Sequence, residues 1–466
     1  MKKSIIWFRN DLRLHDNEAL VDALGHNDEI IPIFIFDERI FLGKSRFGSR
    51  KTSYQRCQFI IDSVKDLREK FKNLSSNLYV RIGKPEEIIP EIASQLKTSY
   101  VYCNRERTQE ELDVQDELEK NLWLIGQEMR YYRGKMLYYT ADLPFPISHC
   151  PDIFSNFRKE VEKYVPIREP FDPPTEKIPH SVSEVEYGDI PSLKDFGFDV
   201  DYIPVYRGGE TEALKSLNYY LWETDLIATY KETRNQLLGR DFSSKFSAYL
   251  SAGCLSPKKI FNEVKKYENE RVKNKSTYWL IFELLWRDFF RFMAKKHGNA
   301  IFKKNGLKGG KELKSYDKSE LLEKWKNGNT GIPFIDANMR ELKATGFMSN
   351  RGRQNVASFL IKDLKINWQL GADHFESLLL DYDPCSNYGN WNYLAGIGND
   401  PRENRYFNIA TQAQRYDPEA KYIRHWIPEL AEAPLELIFN PYLDEDKKLV
   451  LEHNYIQPCI HIKTWN

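Results

Sequence analysis

Two carboxylates, Asp381 and Asp383, stand two residues apart in a stretch that also holds Arg351, Arg353, Asn387 and two isolated tryptophans, Trp368 and Trp391. The stretch runs from Thr345 to Tyr393 and is otherwise apolar and helical in pattern. Charged side chains in apolar helices are costly unless they pair or meet a ligand. Arg353 is spaced to pair with Asp381, which leaves Arg351 for solvent or a phosphate. The two aspartates could form an acid–base pair, but no histidine or nucleophile adjoins them in sequence. Hydrogen bonds to ligand hydroxyls and ring N–H groups would serve them equally well. A metal centre is not expected, because no histidine or third carboxylate has ligand spacing. The block reads as the wall of a cavity for a large, polar, aromatic molecule.

Other segments carry chemistry more weakly. In Tyr278–Phe292, Glu283 and Arg287 are four apart on one helical face and seven aromatic residues surround them. An exposed pair of that kind contributes only about 0.3–0.5 kcal/mol, but a buried carboxylate needs a partner or a ligand N–H. Ser243, Ser244 and Ser247 precede an apolar run. Hydroxyls and backbone N–H groups at a helix start bind phosphate, although a plain N-cap accounts for the run locally.

These residues need a scaffold. Short apolar runs at Ser4–Phe8, Ile30–Phe36, Leu78–Arg81, Tyr100–Cys103 and Met129–Tyr132 alternate with helical patterns at Tyr54–Phe71, Pro85–Leu96 and Glu110–Leu124. Such alternation predicts an open parallel sheet with helices on both faces. No GxGxxG or GxxxxGK[ST] follows a strand, so a Rossmann or P-loop phosphate cradle is missing. Seven prolines in residues 166–204 mark a connector. Beyond Glu210 the pattern is helical, as at Thr211–Trp222, Ser276–His297, Gly331–Thr345, Asn350–Asp363 and Ala372–Leu380. The expectation is an α/β domain over 1–135, a connector over 136–210 and an all-helical domain over 211–466.

Composition fits this division. Hydrophobic residues make up 41% and charged residues 29% of 466 positions, as in globular proteins. Aromatic residues at 14% are abundant enough to stack on a flat ligand. Residues 1–210 carry 30 Lys and Arg against 36 Asp and Glu, and residues 211–466 carry 38 against 32, so the helical half is the better match to a polyanion. Six cysteines without CxxC spacing, no signal-peptide pattern and no membrane-span window give the expectation of a cytoplasmic protein with no membrane partner.

Long motifs in one order then resemble the photolyase/cryptochrome family, and its DASH branch in particular. They are Trp7–Asn17, Thr233–Gly239, Ser243–Ser247, Glu283–Asp288, Ser349–Leu360, Asp381–Asp383, Asn387–Trp391 and Gly398–Asn408. The resemblance covers nearly all of residues 4–430. It implies a photolyase-type α/β antenna domain and a helical domain that binds FAD and DNA. Tyr230, Ser243, Ser244, Lys245, Phe246 and Ser247 would hold the flavin phosphates, and Arg287, Arg353, Asp381, Asp383 and Asn387 the rest of the cofactor. Glu283, Asn350 and Asn387 would be catalytic. Arg234, Trp286, Arg351, Gln354, Tyr393 and Arg405 would contact DNA. Trp391 and Trp368 would carry electrons. The distal relay position falls near Ser315, and Tyr316 is the expected substitute. Glu110 would bind an antenna, 5,10-methenyltetrahydrofolate.

The activity implied is blue-light repair of cyclobutane pyrimidine dimers by electron transfer from reduced FAD. Gln354 and Tyr393 replace the Met and Trp usual in double-strand enzymes. Single-stranded DNA is therefore the expected substrate, because a base leaves the stack there at least cost. The alternative is a photoreceptor or DNA-binding regulator that does not repair. A monomer without a long signalling tail is expected.

Overall fold

The five short apolar runs form five strands, β1 (Lys3–Phe8), β2 (Glu29–Asp37), β3 (Tyr79–Gly83), β4 (Tyr100–Asn104) and β5 (Glu128–Tyr132). The computed structural model describes residues 2–179, 185–309, 314–316, 318–402 and 405–462. The strands pair in parallel in the order β3-β2-β1-β4-β5. Helices α1 (Glu18–His26), α2 (Tyr54–Asn73), α3 (Pro85–Leu96) and α4 (Gln109–Leu124) occupy the crossovers. The two-residue period of a strand divides the sheet between two cores. Ile5, Trp7, Ile31, Ile33 and Ile35 pack with residues of α3 and α4. Ile6, Phe8, Ile30, Phe34 and Phe36 pack with α1 and α2 in a core that continues into the helical part of the chain. Strand order reverses between β1 and β4, the place where open α/β sheets bind ligands beyond their strand ends.

The stretch 136–210 contains an unexpected helix, α5 (Phe154–Tyr164), whose Phe154 and Phe157 pack on Phe289 of α6 (Lys275–His297). Within 166–204 the described residues hold one helical turn, Leu193–Phe196. Apart from that turn, the described residues of the proline-rich run form no helix or strand.

Helix α7 (Pro333–Thr345) leads to α8 (Asn350–Ser358), α9 (Trp368–Leu378) and α10 (Pro384–Ala395). Two helices expected as continuous end in wider π turns, at Tyr219–Glu223 and Phe359–Asp363. The α9 helix starts four residues before its expected position, because the Asn367 side chain accepts the Gln369 N–H at 3.1 Å. The α10 helix begins at an Asp383 cap followed by Pro384, both favourable at a helix start.

The α/β part grips this helical part through α2. Gln55 donates to the Lys343 carbonyl at 2.9 Å. Buried Arg56 donates to the carbonyls of Glu376 and Leu379, with its guanidinium 5.1 Å from the Tyr382 ring centre. These contacts hold the end of α9 and the loop that carries Asp381 and Asp383.

Candidate functional site

Residues far apart in sequence meet around a cavity of about 1100 Å³, open mouth included. It is bordered by Tyr230, Arg234, Ser243–Ser247, Glu283, Asn350, Arg353, Gln354, Asp381, Asp383, Asn387 and Trp391. Arg287, Trp286, Arg351, Tyr393, Arg405, Trp368 and Tyr316 lie outside this lining.

One wall comes from α8 and the loop after α9. Arg353 Nη2 lies 2.8 Å from Asp381 Oδ2, and its Nε donates to the Met348 carbonyl at 2.9 Å. The buried Asp381 Oδ1 has no hydrogen-bond partner among the described residues. It is an acceptor left for a ligand N–H. Asn387 on α10 donates its Nδ2 to the Ala372 carbonyl at 3.0 Å, which leaves its side-chain oxygen for a ligand. Asp383 borders the cavity, but both of its oxygens are engaged by protein. Oδ1 accepts the Ser386 N–H at 2.8 Å, and Oδ2 meets Arg291 Nη1 at 2.6 Å. Burial pushes the Asp383 carboxyl up, but Arg291, then Arg287 and Lys135, outweigh burial and hold it below its ordinary value. Arg291 also reaches Glu106 at 3.1 Å, and Glu106 lies 2.5 Å from Lys135. A buried chain of charges therefore joins the cavity wall to the loop after β4.

The serine run Ser243–Ser247 also lines the cavity. The helix Ser247–Ala252 begins there without a side-chain cap, so the N-cap reading of the run does not hold. Lys245 takes a left-handed φ of 55° and puts its ammonium 3.5 Å from the Phe242 ring centre and 3.9 Å from that of Phe347. Burial pushes this lysine down and Glu341 partly opposes the shift.

Glu283 stands at the mouth. Its expected neighbour Arg287 turns away and donates to the carbonyls of Lys135 and Leu250. Arg287, expected at the cofactor, does not line this cavity. Glu283 pairs instead with Arg234 at 2.7 Å, with 29% of its side chain accessible. Arg234 therefore borders the mouth as a partner of a carboxylate, where a free phosphate-binding cation was expected. Burial raises the Glu283 carboxyl, against the pull of Arg234.

Other expected DNA contacts surround this mouth but engage one another. Arg351 donates to Gln354 at 2.9 Å and to Asn235 at 3.1 Å, beneath the Tyr416 ring. Trp286 stacks on Phe154 at 3.8 Å between ring centres and meets Tyr393 edge-on at 5.7 Å. Arg405 lies over Tyr393 and pairs with Asp400 at 3.5 Å.

Trp391 is buried against the cavity. A Cβ on Gly371 of α9 would strike its ring, so only glycine lets the two helices approach this closely. Trp368 is also buried and donates Nε1 to the Lys304 carbonyl at 3.0 Å. Tyr316 lies at the surface, 54% exposed. Sequence reasoning missed buried Trp325, which meets Trp391 edge-on with ring centres 6.5 Å apart. It also missed Arg291, although the spacing Glu283–Arg287–Arg291 continues one helical face.

A second cavity, of about 1680 Å³ with its mouth, opens beyond the ends of β1 and β2 and is bordered by Glu110. Glu110 pairs there with Lys51 at 2.5 Å. Tyr382 borders both cavities.

Comparisons with known proteins agree with this arrangement. Residues 279–466 match the family described as the FAD binding domain of DNA photolyase, and residues 4–177 match DNA photolyase. Cryptochrome DASH of Synechocystis sp. is 48% identical over 465 residues, covering 98% of this chain and 95% of that protein. Cryptochrome DASH of Xenopus laevis is 50% identical over 434 residues, covering 91% and 82%. The crystal structure of the Synechocystis sp. PCC6803 cryptochrome superposes with a TM-score of 0.94 at 46% identity, covering 99% and 97%. A class III photolyase from Agrobacterium tumefaciens gives 0.85 at 25% identity, covering 100% and 95%. Among the described residues no helix is long and apolar enough to cross a membrane. With its sheet, its cavity and relatives of this similarity along nearly its whole length, the chain belongs to the photolyase/cryptochrome family and groups with its DASH-type members.

Proposed function

We propose that this protein uses FAD to repair cyclobutane pyrimidine dimers under blue light, with single-stranded DNA as the preferred substrate. The observation that carries the reading is one cavity with a paired carboxylate, Glu283, at its mouth and an unpartnered Asp381 oxygen in its wall.

The residues present fit FAD. Asp381 Oδ1 and the Asn387 side-chain oxygen await ring N–H groups, while Ser243, Ser244, Ser247 and Lys245 suit the diphosphate. When bound and reduced, FAD supplies the excited electron that splits the dimer and that returns afterwards. Arg353 holds Asp381 in place and Asp383 caps α10, so Asn387 is presented from a fixed helix. Glu283 and Asn350 offer hydrogen bonds to the lesion carbonyls, at the place where negative charge develops. Arg234 positions Glu283, and Arg351, Gln354, Trp286, Tyr393 and Arg405 form the DNA-facing rim. Trp391 and Trp368 conduct electrons inward from Tyr316. Glu110 holds an antenna folate in the second cavity, with Tyr382 as the partition. A cytoplasmic monomer completes the reading, although three relatives are named chloroplastic/mitochondrial.

The test is repair of a dimer-containing single-stranded oligonucleotide under blue light with a reductant. Absence of repair by protein with bound, reducible flavin would favour the second reading, a photoreceptor or DNA-binding regulator. The pairing of Arg234 with Glu283 and of Arg351 with Gln354, which engages both arginines within the protein, is the feature that favours this alternative.

A further inference from the structure

The loops after β4 and β5 collect positive charge that nothing in the flavin or antenna reading uses. Asn104 and Tyr132 are in register at the ends of these strands, and the Arg105 N–H donates to the Tyr132 carbonyl at 2.9 Å. Arg105 and Arg133 therefore leave the sheet side by side. Arg107 follows two residues later and reaches Thr140 Oγ1 at 3.3 Å. Lys295 sits one turn beyond Arg291 on α6, and Arg291 touches Glu106, the residue between the two loop arginines.

Ion pairs are common elsewhere in this chain. Among the described residues, however, none of Arg105, Arg107, Arg133 and Lys295 has a carboxylate within ion-pair distance. The nearby Glu106 is turned inward and held by Lys135 and Arg291. Arg105 is exposed, and the other three are half-buried and open to solvent. Burial pushes the Lys295 ammonium down to about 8, reinforced by Arg107, Arg133 and Arg105. Arg107 is likewise pushed down to about 10, by burial and then by Arg291 and Arg133. Lys295 and Arg107 thus sit among positive charges whose repulsion an anion would relieve. Guanidinium forks match phosphate oxygens in geometry as well as charge. Open parallel sheets take their ligands beyond the carboxyl ends of their strands, where these four cations gather.

We infer that Arg105, Arg107, Arg133 and Lys295 form an anion site for a phosphate group, separate from the flavin and antenna cavities. The phosphate comes either from a free phosphate ester or from a nucleic-acid backbone. The site stands whether or not the protein repairs dimers, because none of its residues borders either cavity.

The test is calorimetric titration of the FAD-loaded full chain with inorganic phosphate and with an undamaged oligothymidylate, for wild type and for the double variant Arg107→Gln/Arg133→Gln. Phosphate affinity is expected to fall about tenfold or more in the variant, with flavin absorbance unchanged and Tm equal or higher, since like charges have been removed. Loss for phosphate alone assigns the site to free phosphate esters. Loss for the oligonucleotide, with a salt slope smaller by about 2, assigns it to backbone phosphates. If the double variant folds poorly, exposed Arg105→Gln replaces it with a smaller loss expected. Unchanged affinity for both ligands overturns the inference.

Discussion

The Arg234 guanidinium lies 2.7 Å from the Glu283 carboxylate at the mouth of the flavin cavity. The two residues are 49 positions apart, Arg234 just after the short helix Tyr230–Thr233 and Glu283 within α6, so the contact exists only in the folded chain. It fixes a carboxylate that would otherwise sample several rotamers across an open mouth.

Glu283→Gln should therefore reduce repair yield about 10- to 100-fold while FAD stays bound, the size expected for hydrogen bonds to a charged group. Quantifying restored thymines after single-turnover illumination checks this. Arg234→Ala should weaken repair less, because it removes only the group that positions Glu283. Equal repair by Glu283→Gln and wild type would exclude Glu283 from catalysis.

Asp381→Asn should strip Arg353 of its carboxylate partner and alter a wall acceptor left for the cofactor. Breaking a largely buried pair costs about 3 kcal/mol. Purified variant is expected with low flavin absorbance and a reduced Tm, and added FAD should restore part of both.

Trp391→Phe should abolish photoreduction of the bound flavin without loss of FAD, since Phe leaves the cavity wall closed. Trp368→Phe should slow it at least about tenfold. Transient absorption under blue light measures both. Unchanged photoreduction in Trp391→Phe would move the relay elsewhere, and Trp325 is the neighbouring buried ring.

The buried Asp288 gives a pH dependence with a defined sign. Burial pushes its carboxyl up to about 6, against the Tyr138 N–H that it accepts. A folded value above the unfolded one means that the folded state binds the proton more tightly. The stabilisation is complete below about pH 4 and is lost as the pH rises through about 6. Relative to wild type, Asp288→Asn should gain about 3 kcal/mol across that interval, the equivalent of about two pKa units. Thermal melts of both proteins from acidic to neutral pH measure the difference.

Much of the scaffold was legible because it rests on local periodicity. Five apolar runs became five strands, and α3 matched its expected bounds from Pro85 to Leu96. Helix interruptions were not legible, since the π turns at Tyr219–Glu223 and Phe359–Asp363 depend on packing. Ser243–Ser247, Glu283, Asn350, Asp381 and Asp383 do border one cavity, whereas Trp286, Arg287 and Arg351 from the same motifs do not. Their partners were harder to read. Glu283 and Arg287 have ion-pair spacing, but each found a stronger partner at long range. Asp383 met Arg291, and Arg291 met Glu106 from the other domain. Side-chain direction across a fold is not encoded in spacing along one helix.

Arg56 and Gln55 donate from the α/β part to carbonyls at Lys343, Glu376 and Leu379. A helical fragment beginning near residue 211 would retain every motif that faces the flavin, yet it would leave those carbonyls without donors and Tyr382 without the cation above its ring. The loop bearing Asp381 would lose its anchor. The flavin-facing half is therefore finished by the half that precedes it.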